Sequence, residues 1–128
     1  MKKIINTDKA PAAIGPYSQA IVAGNFIYTA GQIPLDPKTG ALKNASIEDE
    51  TTQALNNLKA ILEAAGTNLQ NAIKLSIFIT NMNDFAKINE IYASYFEKDN
   101  YPAREVIQVS ALPKGSNIEI SAVALIEK

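Results

Sequence analysis

Hydrophobic residues recur along the chain with two different periods, and each period predicts one type of element. Near the N-terminus, two short runs rich in β-branched and aromatic residues, 19–23 and 26–30, flank Gly24-Asn25, which is the pattern of a hairpin with a tight turn. The following segment, 34–40, contains two prolines and ends in glycine, so neither a helix nor a central strand is expected there. We interpret it as a surface loop.

Apolar residues at three- and four-residue steps predict two helices. The first begins after Ser46, which can cap it together with Asp49, and it ends at Gly66. Its apolar stripe comprises Ala54, Leu58, Ile61, Leu62 and Ala65. The acidic triplet 48–50 suits the positive end of the helix dipole, an interpretation that we favour over a metal site. The second helix is expected from about Asn83 or Asp84 to Phe96. It would bury, as core residues, Phe85, Ile88, Ile91, Tyr92 and Tyr95.

Alternation of apolar and polar residues predicts three further strands, over 72–80, 105–111 and 117–126. In the first of them the inward face would consist of Ile73, Leu75, Ile77 and Ile79. Segment 112–116 would join the last two strands as a hairpin. The predicted order is β-β-α-β-α-β-β, which favours an α+β two-layer sandwich with both helices on one face of a mixed sheet, in a single domain spanning residues 1–128.

The last strand is apolar on both of its faces. Ile118, Ile120 and Ala122 share one face, whereas Val123 and Leu125 place apolar groups on the other. A two-layer domain leaves one face of its sheet uncovered. We therefore expect that face to be buried in a closed homo-oligomer.

The composition narrows the chemistry that the chain can perform. Cysteine and histidine are both absent, which excludes thiol nucleophiles, Ser-His and Cys-His relays, and metal centres built on those ligands. The formal net charge is -1, and no run of Lys and Arg could follow a phosphate backbone, so no nucleic-acid partner is expected. No segment approaches the ~20 apolar residues that cross a bilayer, and the N-terminus lacks the apolar core of a signal peptide. We expect a cytoplasmic protein without a membrane partner.

Three polar residues lie where a polar group is unexpected, and each has a structural and a functional interpretation. Tyr17 follows Gly15-Pro16 and could be a packing aromatic. Arg104 could be a solvated cation at a strand end, and Glu119, between two isoleucines, could be an exposed residue on the polar face. Composition and periodicity leave these alternatives open.

Four segments, in order along nearly the whole chain, resemble the signature blocks of the RidA/YjgF family. They are residues 10–19 (APAAIGPYSQ), residues 30–34 (AGQIP) with 36–40 trailing, Asn83-Asp84-Phe85 with Asn89 and Tyr92, and Pro102-Ala103-Arg104 followed by Leu112-Pro113-Lys114 and Ile118-Glu119-Ile120. The resemblance implies a chorismate-mutase-like fold assembled as a homotrimer with clefts between subunits. It also implies an enzyme that needs neither metal nor organic cofactor and hydrolyses 2-imino acids, such as 2-iminobutanoate and 2-iminopropanoate, to 2-oxo acids and ammonia.

The family has also been described as ribonucleases, translation inhibitors and chaperones, which the charge balance of this chain does not favour. A second class of function stays open: a regulatory trimer that uses the same pocket to hold a small carboxylate without turning it over.

The resemblance also assigns roles to residues of this chain. Arg104 would bind the substrate carboxylate, Glu119 would act on the attacking water, and Tyr17 would close the pocket. Gly31, Ala30, Asn89 and Val106 would contribute to substrate binding. Two of these depart from the common pattern, because Ala30 stands where Ser is usual and Val106 where Cys is frequent. Val106 would make the pocket more apolar and could favour a larger substrate side chain.

Spacing predicts how the two charged residues meet. If Pro113 to Gly115 turns a hairpin, Glu119 lies opposite about Val109, and Arg104 is then ~16 Å away along the sheet. One subunit could not bring both residues to a small substrate. We therefore expect Arg104 and Glu119 to come from different subunits.

Overall fold

A computed structural model describes residues 1–126 of the chain. Its elements are β1 (Lys2–Ile5), β2 (Ala20–Ala23), β3 (Phe26–Thr29), α1 (Ile47–Ala64), β4 (Ala72–Ile79), α2 (Phe85–Ala93), β5 (Ala103–Gln108) and β6 (Ile118–Leu125). The α+β class is confirmed, with one strand more than predicted. That strand, β1, escapes the periodicity because Ile5 is its only buried residue.

The six strands form one sheet in the order β1-β2-β3-β6-β4-β5. All neighbouring strands are antiparallel except β4 and β5, which are parallel. The predicted hairpin of the last two strands is therefore wrong, because β4 lies between β5 and β6. Parallel neighbours need a crossover, which α2 supplies between β4 and β5.

Helix α1 begins and ends as the sequence predicts. The Ser46 hydroxyl accepts a hydrogen bond from the backbone N–H of Asp49 at 3.0 Å. At the other end Gly66 has φ +86, a left-handed conformation that glycine adopts without a steric penalty. The stripe of α1 packs on the sheet, and Leu58, Ile61 and Leu62 are fully buried.

Two predicted core residues are exposed, and α2 is shorter than expected. Helix α2 ends at Ala93 rather than Phe96. Its first residue, Phe85, is 37% exposed, because its ring lies beside the guanidinium of Arg104 instead of in the core. Ile73 is 42% exposed, since a bulge in β4 between Ala72 and Lys74 interrupts the alternation.

The sheet has two faces of different character, named here the helix face and the outer face. On the helix face, Leu75, Ile77 and Ile120 are fully buried beneath the helices. The outer face carries the alternate residues of the same strands. It includes large apolar side chains that remain exposed, namely Phe26, Tyr28, Ile107 and Leu125. Within residues 1–126, no helix is both long and apolar enough to cross a membrane.

Candidate active site

Arg104 lies on the edge strand β5 and points to the helix face, where it meets α2. Its Nη1 donates a hydrogen bond to Oδ1 of Asn89 at 2.7 Å. The guanidinium carbon lies 4.7 Å from the ring centre of Tyr92 and 5.6 Å from that of Phe85. Within residues 1–126 no carboxylate approaches Arg104 within ion-pair distance. The cation is thus held by an amide and two aromatic rings and keeps hydrogen-bond donors for a ligand.

Phe85, Asn89 and Tyr92 form one stripe of α2, because steps of four and three residues return to the same side of a helix. The sequence analysis predicted Phe85 and Tyr92 as core residues and missed their contact with Arg104. The signal that could have revealed this contact is a polar residue, Asn89, placed between two aromatic residues at helical spacing, in a helix that precedes a strand containing an arginine. Burial raises the pKa of Tyr92, and the nearby Arg104 opposes that rise. The phenol therefore stays neutral under Arg104.

A cavity of about 400 Å³ opens beside Arg104. Its lining comprises Asn89, Tyr92, Ala93, Tyr101, Pro102 and Arg104. Val106 lies two residues along β5 on the same face, half-buried against the core. It borders the region of Arg104 without lining this cavity in the isolated chain.

Glu119 occupies a second cavity on the outer face, with a volume of about 430 Å³. It alternates along β6 with Ile118 and Ile120, both of which are fully buried on the helix face. The side chain is half-buried, and burial raises the pKa of the Glu119 carboxyl above the ordinary glutamate value. A raised pKa makes the carboxylate a better proton acceptor once it is ionised.

Gly31 lies directly against Glu119. A methyl group at Gly31 would stand 2.6 Å from Cδ of Glu119, so only glycine leaves the carboxyl this position. Gln32, the next residue, exchanges backbone hydrogen bonds with Ile120 at 2.7 and 3.0 Å. The backbone around Gly31 is therefore fixed to β6 beside Glu119.

Tyr17 and Ala30 also line the cavity of Glu119. The ring of Tyr17 is 53% exposed at the mouth. The backbone N–H of Ala30 donates to the carbonyl of Gln19 at 2.8 Å. The buried amide of Gln19 in turn donates to the carbonyls of Thr7 and Pro11, which holds the N-terminal segment as the wall of this cavity.

The structure brings four of the seven predicted site residues into one cavity and divides them from the other three. Arg104, Asn89 and Val106 lie on the helix face of β5 and α2, whereas Glu119, Gly31, Tyr17 and Ala30 surround the outer-face cavity. Arg104 pairs with Leu75, and Glu119 pairs with Phe78, on the central strand β4. In a single chain, Arg104 and Glu119 are thus separated by the sheet itself.

Two further charged residues, Glu105 and Lys114, lie near the predicted site residues. Glu105, adjacent to Arg104 in sequence, points to the outer face and pairs with Lys74 at 3.0 Å, so it does not compete for the guanidinium. Lys114, which the sequence analysis did not assign to the site, lines the cavity of Glu119. Its φ of 59 lies in the left-handed region, where the backbone of a non-glycine residue is strained.

Comparison with known proteins decides the family. A family profile described as "Endoribonuclease L-PSP" matches residues 7–126. A RutC family protein of Pyrococcus horikoshii is 56% identical and covers 97% of this chain and 98% of its own. The human 2-iminobutanoate/2-iminopropanoate deaminase is 50% identical over 98% of this chain and 90% of its own. The chain belongs to the RidA/YjgF family.

The solved structures agree with this assignment. The crystal structure of Escherichia coli TdcF with bound serine shares 45% identity and a TM-score of 0.92, covering 98% of this chain and 99% of its own. The RidA/YjgF fold predicted from the sequence blocks is therefore confirmed. Several relatives of this chain are named as imine deaminases.

Proposed function

We propose that this protein hydrolyses 2-imino acids such as 2-iminobutanoate and 2-iminopropanoate. The observation that carries the proposal is the guanidinium of Arg104, which is oriented by Asn89 and Tyr92 but has no carboxylate partner within residues 1–126. A planar guanidinium binds a carboxylate through two parallel hydrogen bonds, and every 2-imino acid presents a carboxylate. The human relative is named for this activity, and the TdcF relative binds serine, another small carboxylate.

The proposed reaction needs only water, a proton acceptor and a fixed substrate. Water adds to the carbon of the protonated imine, while the Glu119 carboxylate takes one of its protons. Returning that proton to nitrogen lets the C–N bond break, and the remaining hydroxyl proton leaves with the nitrogen as ammonium. A 2-oxo acid remains, and atoms and charge balance without an oxidant or cofactor.

The separation of the two cavities makes an assembly part of the proposal. Arg104 of one subunit would face Glu119, Gly31 and Tyr17 of its neighbour across a cleft of a homotrimer. The apolar outer face, with Tyr28 and Leu125 exposed, is the kind of surface that a subunit interface buries. Ala30 and Val106 would then tune the cleft, with Val106 favouring larger apolar side chains of the substrate.

RNA cleavage, which the description of the matching family profile suggests, has less support in this chain. The net charge of -1 provides little attraction for a polyanion. The chain also contains no histidine, the usual proton-transfer residue near neutral pH. The guanidinium of Arg104, which has no ion-pair partner in the described part of the chain, is therefore proposed to bind a small carboxylate rather than a phosphate backbone.

The experiment generates the imine in place with a pyridoxal-phosphate dehydratase acting on threonine and follows release of the 2-oxo acid. We expect the protein to accelerate release. Arg104→Ala should lower the acceleration at least ~100-fold, because two charge-assisted hydrogen bonds to the substrate are lost. Lys87→Ala removes an exposed cation from the same helix, α2, and should leave the rate unchanged.

The same experiment separates the enzyme from its rival, the small-carboxylate-binding regulatory trimer. No acceleration at stoichiometric protein, together with 2-oxobutanoate binding that Arg104→Ala abolishes, would establish the binder and refute the deaminase. Comparing imines from several amino acids would show whether Val106 shifts the preference toward larger side chains.

A further inference from the structure

Glu50 is a carboxylate in the core of the protein, although the other acidic residues of α1 lie nearer the surface. Only 1% of its surface is exposed. Its Oε1 accepts a hydrogen bond from the backbone N–H of Asn117 at 2.8 Å, and its Oε2 accepts one from the side-chain amide of Asn117 at 2.7 Å. A buried carboxylate is tolerated only where such donors satisfy it. Glu50 therefore ties α1 to the residue that precedes β6.

Asn117 is held from a second side by the end of β4. The Thr80 hydroxyl donates to Oδ1 of Asn117 at 2.8 Å, and the backbone N–H of Thr80 donates to the Asn117 carbonyl at 3.2 Å. Asn117 thus has one partner on α1 and another in Thr80, the residue that directly follows β4. Asn117 lies two residues before Glu119, directly before β6, whose first residues pair with β4 through Ile79↔Ile118 and Phe78↔Glu119.

The turn before Asn117 contains the strained residue of this cavity. Lys114 has a left-handed backbone, and Pro113 and Lys114 both line the cavity of Glu119. Inside the turn, the N–H and hydroxyl of Ser116 donate to the Pro113 carbonyl at 3.2 and 2.9 Å. A strained conformation persists only where its surroundings hold it. The two hydrogen bonds between Glu50 and Asn117 connect the end of this turn to α1.

We propose that Glu50 is a positioning residue for the Glu119 cavity. Through Asn117, it fixes the start of β6 and the turn that carries Lys114, and so keeps both side chains in place within the cavity. Even a small displacement of the Glu119 carboxyl matters, because the carboxyl packs directly against Gly31. The effect on rate rests on the proposed deaminase function, whereas the effect on the position of Glu119 does not.

The first test compares three variants of the full-length protein by steady-state kinetics. Glu50→Ala should lower kcat roughly tenfold or more, since displacing a reacting group by about 1 Å can cost up to ~100-fold. KM should change less than about twofold, because the substrate carboxylate is proposed to bind Arg104, whose hydrogen-bond partner is Asn89 rather than Glu50 or Asn117. Glu50→Gln should restore most of kcat. Its amide can accept from the Asn117 N–H and donate to Oδ1 if the Asn117 amide turns over and donates to Thr80.

Thr67→Ala is the matched control. The buried Thr67 hydroxyl donates to the carbonyl of Leu125 at 2.7 Å, at the opposite end of the same strand β6. This variant loses a buried hydrogen bond to β6 but should keep kcat. Equal losses of kcat in Thr67→Ala and Glu50→Ala at matched stability would overturn the positioning role. Should Glu50→Ala not fold, Glu50→Asp, which withdraws the carboxylate by one methylene, should lower kcat to an intermediate level, and an unchanged kcat would overturn the role as well.

A second readout does not depend on activity. The titration of Glu119 can be followed by carboxyl-carbon NMR and assigned with Glu119→Gln. Burial raises the pKa of Glu119, so release from its packed position in Glu50→Ala should bring that pKa back toward the ordinary glutamate value. An inactive wild type would refute the deaminase only. An unchanged Glu119 titration in Glu50→Ala would refute the positioning role whatever the activity.

Discussion

Gly31 directly limits where the side chain of Glu119 can lie. A methyl group there would stand 2.6 Å from Cδ and 2.8 Å from Cγ of Glu119, far inside the ordinary separation of nonbonded carbons. Gly31 does not have a positive φ, so its backbone does not itself demand glycine. The three nearest atoms that such a methyl group would meet all belong to the side chain of Glu119.

Gly31→Ala should therefore reduce activity with little loss of stability. The carboxyl end of Glu119 is flexible enough to move aside, so the protein should fold, with kcat/KM about 10- to 100-fold lower. The check is a double-mutant cycle. Adding Gly31→Ala to Glu119→Gln should cause little further loss, because both changes act on the same group. Additive losses would contradict this explanation.

The residues of the Glu119 cavity show what a single sequence can reveal at this scale. Tyr17, Gly31 and Glu119 come from three separate segments, and no spacing rule joins them. Their grouping was predicted from the family blocks alone. Phe85 and Tyr92 illustrate the reverse case. Helical period places them on the inner side of α2, but it cannot distinguish an aromatic that fills the core from one that lies beside a cation.

Among the elements, α2 does most to orient Arg104. Phe85, Asn89 and Tyr92 project from one side of this short helix. Within residues 1–126, Asn89 supplies the one side-chain hydrogen bond to the guanidinium. The bond is solvent-exposed, which limits its strength. The aromatic rings restrict the cation from the sides without consuming its donors.

Asn89→Ala should weaken substrate binding more than it slows the chemistry. Loss of one exposed hydrogen bond to a charged group corresponds to about 1 kcal/mol, or roughly a fivefold increase in KM. Glu90→Ala, an exposed neighbour on α2, serves as the control and should leave KM unchanged. In an Arg104→Ala background, Asn89→Ala should have no further effect. A further loss there would show that Asn89 acts independently of Arg104.

Element types were predictable from the sequence, whereas the order of the strands was not. Periodicity located both helices and five of the six strands, because each pattern is local. The pairing of β5 with β4 rather than β6 is a long-range choice. A short turn such as 112–116 suggests a hairpin, yet here it carries the chain across β4. The prediction of separated charged residues therefore rested on a wrong pairing, and the sheet separates Arg104 from Glu119 for a different reason.

At the scale of the whole molecule, the chain presents two separate cavities, each beside one of the two charged residues of the proposed site. One holds a guanidinium without a carboxylate partner within residues 1–126, and the other holds a half-buried carboxyl whose pKa burial raises. The outer face, which also carries the Glu119 cavity, exposes Tyr28, Ile107 and Leu125. An assembly that buried this face and joined the two cavities would complete the proposed site. The two-sided apolar pattern of β6 predicts such an assembly from the sequence.

Mixing two inactive variants tests this arrangement. In a closed trimer with each site formed by Arg104 of one subunit and Glu119 of the next, random exchange of Arg104→Ala and Glu119→Ala chains makes three quarters of the trimers mixed. Each mixed trimer contains one intact site of three, so about a quarter of wild-type activity should return. Subunit exchange is verified by mass spectrometry of differently labelled chains. If both residues acted within one chain, no mixture could contain an intact site, and verified exchange without recovery would refute sites shared between subunits.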